Sequence, residues 1–411
     1  MRGVVVIGAG HAGVEAAASL RAGGYNGPVT VVGAERHLPY QRPPLSKEML
    51  HDGGDPDALS LRAEAFFEDR RIVLRHGLAL DIDRAAQLVH IAGDRPVAYD
   101  HLVLATGAAP RRIELPGRSL RGVAELRTLD DALALRASLV GARRVVVLGG
   151  GFIGMEVASA ARKRGVEVSV VELGDRLLRR AVCPPVSAAV AAHHRAEGVG
   201  LWFGEHATEL IGDAGHVTGV RTASGRVLPA DLVVLGVGAT AEDGLAHRAG
   251  LATDGGVLVD RWLATSDPRI VAIGDCAVVC DPSTGTRRRL ESIQNATDHG
   301  RYAAARILGE KRPYYAVPWF WSNQGSLRLQ LVGMAEEVDQ FVVRGDESRF
   351  SVFCLRNARL TAVESVNDPG THMAARRLLE RVTPSEAELV AADYDVRALA
   401  RRAMARETAV A

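Results

Sequence analysis

The hydrophobic positions of this chain cluster in short continuous runs at regular places. Runs of Val, Ile and Leu at 4–7 and 145–148 each lead into a glycine-rich turn and then into an alanine-rich stretch. Such runs are typical of strands that are buried on both faces of a parallel sheet. The returning strands follow at 29–32 and 166–171. The pattern therefore predicts two strand–helix–strand units with right-handed crossovers.

Further buried runs suggest how the two units are connected. The runs at 101–104, 232–235 and 270–273 each end in or just before a glycine turn. The strands near 103 and 233 would be the points where the chain leaves the first unit and returns to it. The sequence thus predicts that the second unit is inserted into the first.

The pattern changes from about Pro318 onward. Apolar and polar residues alternate at 327–332 and 350–355, which predicts two strands. The alternation is typical of an antiparallel sheet with one face exposed to solvent. The tail beyond Asp368 is predicted to be helical and carries several arginines. A separate C-terminal α+β region is therefore expected.

Composition narrows the class of protein. The chain has 411 residues, which favours two or three domains, and its 50 basic and 49 acidic side chains give a net charge of +1. This balance gives no indication of nucleic acid or membrane binding. No apolar run reaches the roughly 18 residues of a membrane-spanning helix, and the start lacks a signal-peptide layout. We expect a cytoplasmic protein.

Two glycine fingerprints carry the chemistry. Their glycines are Gly8, Gly10 and Gly13 in the first and Gly149, Gly151 and Gly154 in the second. In this pattern the first glycine permits the turn, the second admits a pyrophosphate and the third lets the helix pack on the strand. The pyrophosphate then lies at the helix N-terminus, where the dipole favours negative charge. Each fingerprint is followed about 20 residues later by a carboxylate suited to ribose hydroxyls, Glu35 and Glu172.

These features predict an α/β fold with two Rossmann-like dinucleotide-binding domains, the second inserted in the first, and a C-terminal α+β domain with an antiparallel sheet. The boundaries are 1–108 and 236–315 for an FAD-binding domain, 109–235 for an NAD-binding domain and 316–411 for the C-terminal domain. FAD is assigned to the first unit because the late Gly274-Asp275 joins it, which suits a long cofactor. The self-contained central unit suits an exchangeable nicotinamide nucleotide. An enzyme that holds both usually passes electrons between them.

The charge at the end of the second unit bears on which nucleotide binds. Glu172 would repel a 2′-phosphate and so favours NADH over NADPH. Arg176, Arg179 and Arg180 follow closely, however, and keep the NADPH alternative open.

The four cysteines offer no zinc pattern and no C-x-x-C. Cys276 and Cys280 are four apart and could meet on consecutive turns of a helix, but ordinary small buried residues are the better interpretation. No catalytic thiol and no metal site are expected.

The motifs resemble those of the FAD-dependent, NADH-oxidising ferredoxin reductases of bacterial oxygenase systems, the group that contains putidaredoxin reductase. The resemblance runs over essentially the whole chain. It is carried by R-P-P-L-S-K at 42–47, L-R-T-L-D-D-A at 126–132, G-G-G-F-I-G-M-E at 149–156, G-D-C-A at 274–277, E-S-I-Q-N-A at 291–296 and P-W-F-W-S at 318–322.

This resemblance implies a set of site residues. The FAD contacts would be Ala12, Glu35, Arg42, Lys47, Ala79, Arg127, Asp275 and Ile293, together with Thr106 and Gly274 at strand ends. The NADH contacts would be Phe152, Ile153, Glu156, Glu172, Arg180, Gly238 and Glu291. The resemblance further implies that Lys47 lies near the flavin N5 edge with Glu156 as its partner, and that Trp321 lies beside the isoalloxazine. Without the surrounding motif, a surface lysine that opens a helix would be the preferred interpretation of Lys47.

The resemblance also implies a partner. NADH delivers two electrons together, an iron–sulfur protein accepts one, and a flavin can mediate between them. The chain lacks the cysteine sets of an iron–sulfur site, so the acceptor would be a separate small ferredoxin, which in turn supplies a haem-thiolate monooxygenase or a Rieske oxygenase. A basic docking surface is expected, with Arg301, Arg306, Lys311, Arg312 and some of the C-terminal arginines as candidates. Each of them is explained at least as well as part of an ordinary solvated face. A monomer or weak dimer is expected.

Other proteins use the same double-dinucleotide scaffold. Disulfide reductases need a cysteine pair near residues 40–50, and none occurs there. NADH peroxidases need a single cysteine there, where this chain has Ser46. NADH oxidases also use this scaffold. A redox-signalling protein of the apoptosis-inducing-factor type is a further alternative. Such a protein would reduce a small ferredoxin barely faster than it reduces oxygen.

Overall fold

The computed structural model describes residues 2–51, 53–280 and 285–410. Its helices are α1 (His11–Ala22), α2 (Glu64–Asp69), α3 (Leu129–Gly141), α4 (Phe152–Lys163), α5 (Pro184–Ala196), α6 (Gly244–Arg248), α7 (Ile293–Ile307), α8 (Pro369–Leu379), α9 (Glu386–Ala391) and α10 (Val396–Val410). Short 3-10 turns cover Pro43–Ser46, Glu48–Leu50, Asp57–Leu59 and Gly274–Cys276.

The strands are β1 (Val4–Ile7), β2 (Val29–Gly33), β3 (Ile72–His76), β4 (Ala79–Asp83), β5 (Leu88–Ile91), β6 (Val97–Ala98), β7 (His101–Leu104), β8 (Ala108–Pro110), β9 (Val123–Ala124), β10 (Arg144–Leu148), β11 (Glu167–Glu172), β12 (Val199–Phe203), β13 (Ala207–Asp213), β14 (His216–Thr222), β15 (Val227–Pro229), β16 (Leu232–Leu235), β17 (Ala239–Ala241), β18 (Val257–Val259), β19 (Ile270–Ala272), β20 (Ala277–Cys280), β21 (Arg287–Arg288), β22 (Trp319–Gln324), β23 (Leu327–Gly333), β24 (Gln340–Gly345), β25 (Phe350–Arg356) and β26 (Arg359–Val366).

The chain divides into two compact units. The first comprises residues 1–42, 55–109 and 239–316, and the second comprises 43–54, 110–238 and 317–411. The chain therefore leaves the first unit and later returns to it, as the nested arrangement requires. The assignment of FAD-binding, NAD-binding and C-terminal domains to the boundaries given above stays a prediction.

A parallel sheet forms the centre of the first unit. Its strand order is β19-β7-β1-β2-β3, with Val4 opposite both Val29 and His101. Strands β1 and β7 are almost wholly buried because helices cover the sheet. The carboxyl end of β1 leads directly into α1, and the β19 end leads into the Gly274–Cys276 turn. Both predicted cofactor loops of this unit thus lie at the carboxyl edge of one sheet, where open α/β sheets bind ligands.

The second unit contains a similar parallel sheet and an antiparallel one. The parallel sheet has the order β12-β11-β10-β16-β9, and β10 leads into α4. The antiparallel sheet has the order β22-β23-β26-β25-β24 and is followed by α8, α9 and α10. The predicted fold class, including the helical tail, is confirmed.

Two arginines hold the segment 43–54 in the second unit. The guanidinium of Arg164 donates to the Leu50 carbonyl at 2.8 Å, and that of Arg136 donates to the Gly54 carbonyl at 2.7 Å. These bonds hold the segment 43–54, which carries Lys47, against α3 and α4.

Buried histidines predict a loss of stability in mild acid. Burial lowers the pKa of His11, His194 and His372 to about 4 and that of His299 to about 3. These side chains stay neutral in the folded protein, whereas the unfolded chain binds protons below about pH 6.5. Their stabilising effect is therefore complete above pH 6.5 and is lost as the pH falls towards 4, at up to about 1.4 kcal/mol per pH unit for each histidine.

Urea unfolding of the apoprotein between pH 5 and pH 7.5 measures this effect. The midpoint should fall steadily below pH 6.5. Glu364 acts in the opposite direction, because burial raises the pKa of its carboxyl group, but one carboxyl group opposes four histidines. A midpoint that stays constant across this range would refute the expectation.

Candidate functional site

The two glycine loops have matching geometry. Gly8 and Gly149 start the turns with φ angles of +112° and +107°, a region that side chains rarely adopt. A Cβ on Gly13 would lie 1.9 Å from the Gly8 carbonyl oxygen, and one on Gly154 would lie 2.3 Å from the Gly149 oxygen. Each helix therefore packs closely on its own loop only because these positions are glycine.

The middle glycine of each loop faces open space. A Cβ on Gly10 or on Gly151 would have no neighbour within 4 Å, and both residues have φ near −80° with extended ψ. These glycines are the N-caps of α1 and α4, and neither helix has an acidic residue in its first turn. The positive helix ends are thus left to an anion that approaches the backbone closely. The two loops fit dinucleotide pyrophosphates.

The carboxylate after each returning strand is fixed by hydrogen bonds. Glu172 accepts the backbone N–H of Gly150 at 2.6 Å and that of Gly174 at 2.7 Å. This places an acidic group at the rim of the second glycine loop, where a ribose next to the pyrophosphate would need it. In the first unit, Glu35 accepts the Tyr40 hydroxyl and pairs with Arg42 at 2.5 Å.

Three arginines follow Glu172, and two of them have other partners. Arg176 donates to the Val182 carbonyl at 2.8 Å, and Arg179 forms an exposed ion pair with Asp175 at 3.7 Å. The Arg180 guanidinium lies beside Gly238, 3.4 Å from the place of a Cβ there. The predicted contacts Arg180 and Gly238 thus lie side by side in the second unit.

The second cofactor loop of the first unit is held by a histidine. The N–H of Gly274 donates to Nδ1 of the buried His299 at 3.2 Å, and a Cβ on Gly274 would lie 3.0 Å from that of Ala12 on α1. Arg289 donates to the Asp275 carbonyl at 3.1 Å and pairs with Glu291 at 2.6 Å. This brings Ala12, Gly274, Asp275 and Glu291 into one part of the first unit.

The remaining predicted contacts lie at element ends. Thr106 follows β7 and donates its hydroxyl to the Glu242 carbonyl at 2.6 Å, and Ala79 begins β4. Ile293 begins α7, and Arg127 precedes α3, its N–H donating to Asp131 at 3.0 Å. In the second unit Phe152 packs on Phe320 with ring centroids 4.6 Å apart, whereas Ile153 is exposed.

Lys47 is not a surface lysine. Its Nζ lies 2.7 Å from Oε2 of Glu156 and 3.2 Å from the Pro43 carbonyl, and its side chain is 17% exposed. The Glu156 side chain is 5% exposed and also accepts the hydroxyls of Ser46 and Ser322. The carboxylate thus has three donors, which keeps a buried charge compensated.

A cavity of about 440 Å³ opens beside this ion pair. Lys47, Glu156, Lys163, Asn323 and Arg328 are among the residues that line it. Trp321 is half-buried and stacks on Trp319 with centroids 5.5 Å apart, and Arg376 lies over Trp319 at 3.9 Å. One of the C-terminal arginines is therefore engaged by an aromatic ring.

Two of the four basic residues expected at a docking surface have acidic partners. Arg301 pairs with Glu15 at 2.7 Å and Arg312 pairs with Glu310 at 2.9 Å. The positive charge that this part of the first unit offers is accordingly smaller than the sequence suggests.

The cysteines are free thiols, of which Cys183, Cys276 and Cys354 are buried and Cys280 is half-buried. A hydrogen bond with Cys354 and burial raise the pKa of the Cys183 thiol, and burial raises that of Cys276. Such thiols are poor nucleophiles. Ser46 occupies the place where the NADH peroxidase alternative needs its cysteine, and residues 40–50 contain no cysteine pair.

Several residues of the site were missed by sequence reasoning. Ser46 and Ser322 lie inside motifs that the sequence displays, so their positions could have been found there. Gln324 follows the P-W-F-W-S motif by two residues. Tyr40, His194 and His299 carry no local signal, because their contacts arise only when distant segments pack together.

Comparison with known proteins places the chain in a family. Residues 2–300 match the model described as pyridine nucleotide-disulphide oxidoreductase, and residues 319–400 match the one described as reductase C-terminal. The chain belongs to the pyridine nucleotide-disulphide oxidoreductase family, which confirms the class predicted from the motifs.

Several of the similar proteins are named as ferredoxin reductases. The chain is similar to rhodocoxin reductase of Rhodococcus erythropolis, with 44% identity over 96% of this chain and 93% of the relative. It is similar to the structure of the ferredoxin reductase for the CYP199A2 system of Rhodopseudomonas palustris, with a TM-score of 0.94, 43% identity and coverage of 97% and 100%. It is also similar to the covalent putidaredoxin reductase–putidaredoxin complex, with a TM-score of 0.93, 35% identity and coverage of 98% and 99%.

No helix in the described ranges has both the length and the apolar character needed to cross a membrane.

Proposed function

We propose that this protein is an FAD-dependent NADH:ferredoxin reductase that takes a hydride from NADH and passes single electrons to a small iron–sulfur protein. The observation that carries the proposal is the pair of glycine loops, each with an open middle glycine at the start of a helix. The names of the relatives, a rhodocoxin reductase and a putidaredoxin reductase in complex with putidaredoxin, support the same reaction and the same kind of partner.

The residues that hold the cofactors are assigned by unit. The first loop, with Glu35, Arg42, Asp275 and Ile293, binds FAD. The second loop binds NADH, with the Glu172 carboxylate on the adenosine ribose. Bound FAD supplies a group that accepts a hydride and gives up the two electrons one at a time.

The protein's own contribution is positioning and electrostatics. The ammonium of Lys47 would stabilise the negative charge that hydride transfer brings to a bound flavin, while Glu156 holds that ammonium in place. Trp321, on the opposite face of β22 from the Ser322 hydroxyl that Glu156 accepts, would lie beside the isoalloxazine. Hydride transfer between the cofactors needs no protein acid or base, which agrees with the high pKa and burial of the thiols.

The partner is a separate protein with an acidic surface. Its electrons go on to a haem-thiolate monooxygenase or a Rieske oxygenase, and the basic residues near Arg306 and Lys311 contribute to the docking surface. The same proposal puts the reductase in the cytoplasm, where NADH is produced.

Colour and turnover test this function. The purified protein should be yellow, NADH should bleach it without oxygen, and cytochrome c reduction should depend on an added small ferredoxin. A protein that stays colourless after reconstitution with FAD would contradict the proposal. A bleached protein that reduces no ferredoxin faster than oxygen would favour the signalling alternative.

Replacing Glu172 tests the choice of nucleotide. Glu172→Gln keeps the length of the side chain and its acceptor oxygen but removes the charge that repels a 2′-phosphate. We expect the preference for NADH over NADPH, measured as the ratio of kcat/KM values, to fall by about tenfold, which corresponds to ~1.4 kcal/mol. Glu209→Gln, an exposed carboxylate of β13 in an ion pair with Arg221, is the control. An unchanged ratio would refute the role given to Glu172.

A further inference from the structure

A buried chain of hydrogen bonds ends on the Glu156 carboxylate. The Ser322 hydroxyl donates to Oε1 of Glu156 at 2.5 Å, and the amide nitrogen of Gln324 lies 3.4 Å from the Ser322 hydroxyl oxygen. The amide oxygen of Gln324 lies 3.0 Å from Nε2 of His194. Glu156 is 6% exposed, Ser322 and Gln324 are 0% exposed and His194 is 1% exposed. This chain of hydrogen bonds links β22, α4 and α5 within the second unit.

The hydrogen bonds of this chain have one direction. Burial lowers the pKa of His194 to about 4, so that the imidazole is neutral near pH 7 and carries a single N–H. Nδ1 of His194 has no hydrogen-bond partner within the described part of the chain. The proton therefore belongs on Nε2, where it is donated to Gln324, because the other tautomer would bury an unpaired N–H.

The amide of Gln324 then presents its NH₂ group to Ser322. This leaves the Ser322 hydroxyl hydrogen for Glu156, and each link donates toward the carboxylate. The second carboxylate oxygen is occupied by Lys47 and Ser46. Both oxygens of Glu156 are therefore fixed, one by the segment that carries Lys47 and the other by the antiparallel sheet.

Strand β22 presents two different faces. Successive side chains of a strand point to opposite sides, so Ser322 and Gln324 share one face while Trp319 and Trp321 share the other. The strand is held in this register by β23, with Trp321 opposite Gln330 and Ser322 opposite Leu329. The strand that places Trp321 is thus the same strand that fixes the partner of Lys47.

We propose that Ser322 and Gln324 are positioning residues for hydride transfer, because they orient the Glu156 carboxylate that holds the Lys47 ammonium. The inference rests on the proposed function, in which Lys47 faces the flavin. Without the Ser322 hydroxyl, Oε1 of Glu156 loses its donor in a dry environment and the carboxylate turns away from its present plane. Lys47, on a flexible four-carbon stem, then loses its fixed position.

The experiment compares Ser322→Ala with Ser322→Thr, which keeps a hydroxyl, and Gln324→Met, which keeps the volume. Ser365→Ala is the matched control, because Ser365 is also 0% exposed in the same sheet but bonds the Ser351 hydroxyl at 2.8 Å. Stopped-flow reduction by NADH under anaerobic conditions gives the limiting rate and the Kd of NADH. Equilibrium titration gives the midpoint potential of the flavin.

Ser322→Ala should lower the limiting rate about tenfold, the factor expected for losing a hydrogen bond to a charged group. The Kd of NADH should stay within about twofold, since the nucleotide loop is untouched. The midpoint potential should become more negative, and Gln324→Met should act in the same direction. Ser322→Thr should restore rate and potential, and Ser365→Ala should change neither.

A measurement without cofactor tests the chain itself. Nitrogen-15 spectra of labelled apoprotein should show His194 as the Nε2–H tautomer, identified by its loss in His194→Gln. Gln324→Met should expose this proton to faster exchange. An Nδ1–H tautomer would overturn the direction of the chain and with it the proposal.

The outcomes distinguish a failure of the proposed function from a failure of the positioning role of Ser322 and Gln324. If NADH fails to bleach the wild-type protein, the proposed function falls, and the positioning role falls with it. If the wild type is bleached but Ser322→Ala reacts at the wild-type rate and potential, only the positioning role is overturned. Equal losses in Ser322→Ala and Ser365→Ala would also overturn it, because they would reflect the stability of the sheet alone.

Discussion

Gly10→Val should give a folded protein that purifies without FAD, and Gly151→Val should give a yellow protein that NADH hardly reduces. Both glycines have backbone angles that any residue adopts, and a Cβ at either position meets no atom within 4 Å. The added side chain therefore leaves the fold intact. It does occupy the space through which a pyrophosphate must approach the helix N-terminus.

Flavin absorbance, circular dichroism and steady-state kinetics measure the two effects separately. We expect FAD or NADH binding to weaken by at least about 100-fold at the affected loop, equivalent to ~2.7 kcal/mol. Gly151→Val should retain FAD, and the secondary structure of both variants should match the wild type.

Gly13→Val supplies the contrasting control. Its Cβ would lie 1.9 Å from the Gly8 carbonyl oxygen, so this change should prevent correct folding rather than binding alone. If Gly10→Val bound FAD as tightly as the wild type, the first loop would not be the pyrophosphate site.

The parts of the fold that local sequence determines were predictable. Strand β1 and its glycine turn are visible as a run of apolar residues followed by Gly8, because burial on both faces and a positive φ each restrict the residues allowed. The central unit repeats this pattern of an apolar strand followed by a glycine turn. The existence of two parallel sheets and their order along the chain could therefore be predicted. The sequence predicts a helix from Gly154 to about Lys163, whereas α4 begins at Phe152, two residues earlier, as expected for a boundary that depends on capping.

The parts that depend on distant contacts were not predictable. Lys47 reads as an exposed lysine until the packing of α4 brings Glu156 within 2.7 Å. Gln324 and His194 are separated by 130 positions, and their hydrogen bond exists only because α5 packs near the first strand of the antiparallel sheet. No periodicity or motif encodes such a pair. The family resemblance pointed to Lys47 and Glu156 as partners. The buried hydrogen-bond chain from Glu156 to His194 could be found only in the structure.

Lys47→Met should slow the reduction of bound FAD by NADH at least about 100-fold, the loss usually seen when one charge-stabilising group is removed from a buried site. Methionine keeps the apolar length of the side chain but not its charge. The Kd of NADH should change little, because Glu172 and the second glycine loop remain. The midpoint potential of the flavin should become more negative.

Removing only Lys47 leaves the buried Glu156 carboxylate without its cation, and such a charge destabilises a fold by about 3–5 kcal/mol. The double variant Lys47→Met, Glu156→Gln removes both charges. It should recover most of the thermal stability but none of the rate, which separates a charge acting on the flavin from a charge that only supports the fold. Lys163→Met is the matched control, since Lys163 lines the same cavity but is exposed. Rates within threefold of the wild type in the double variant would contradict a role for Lys47 in the chemistry.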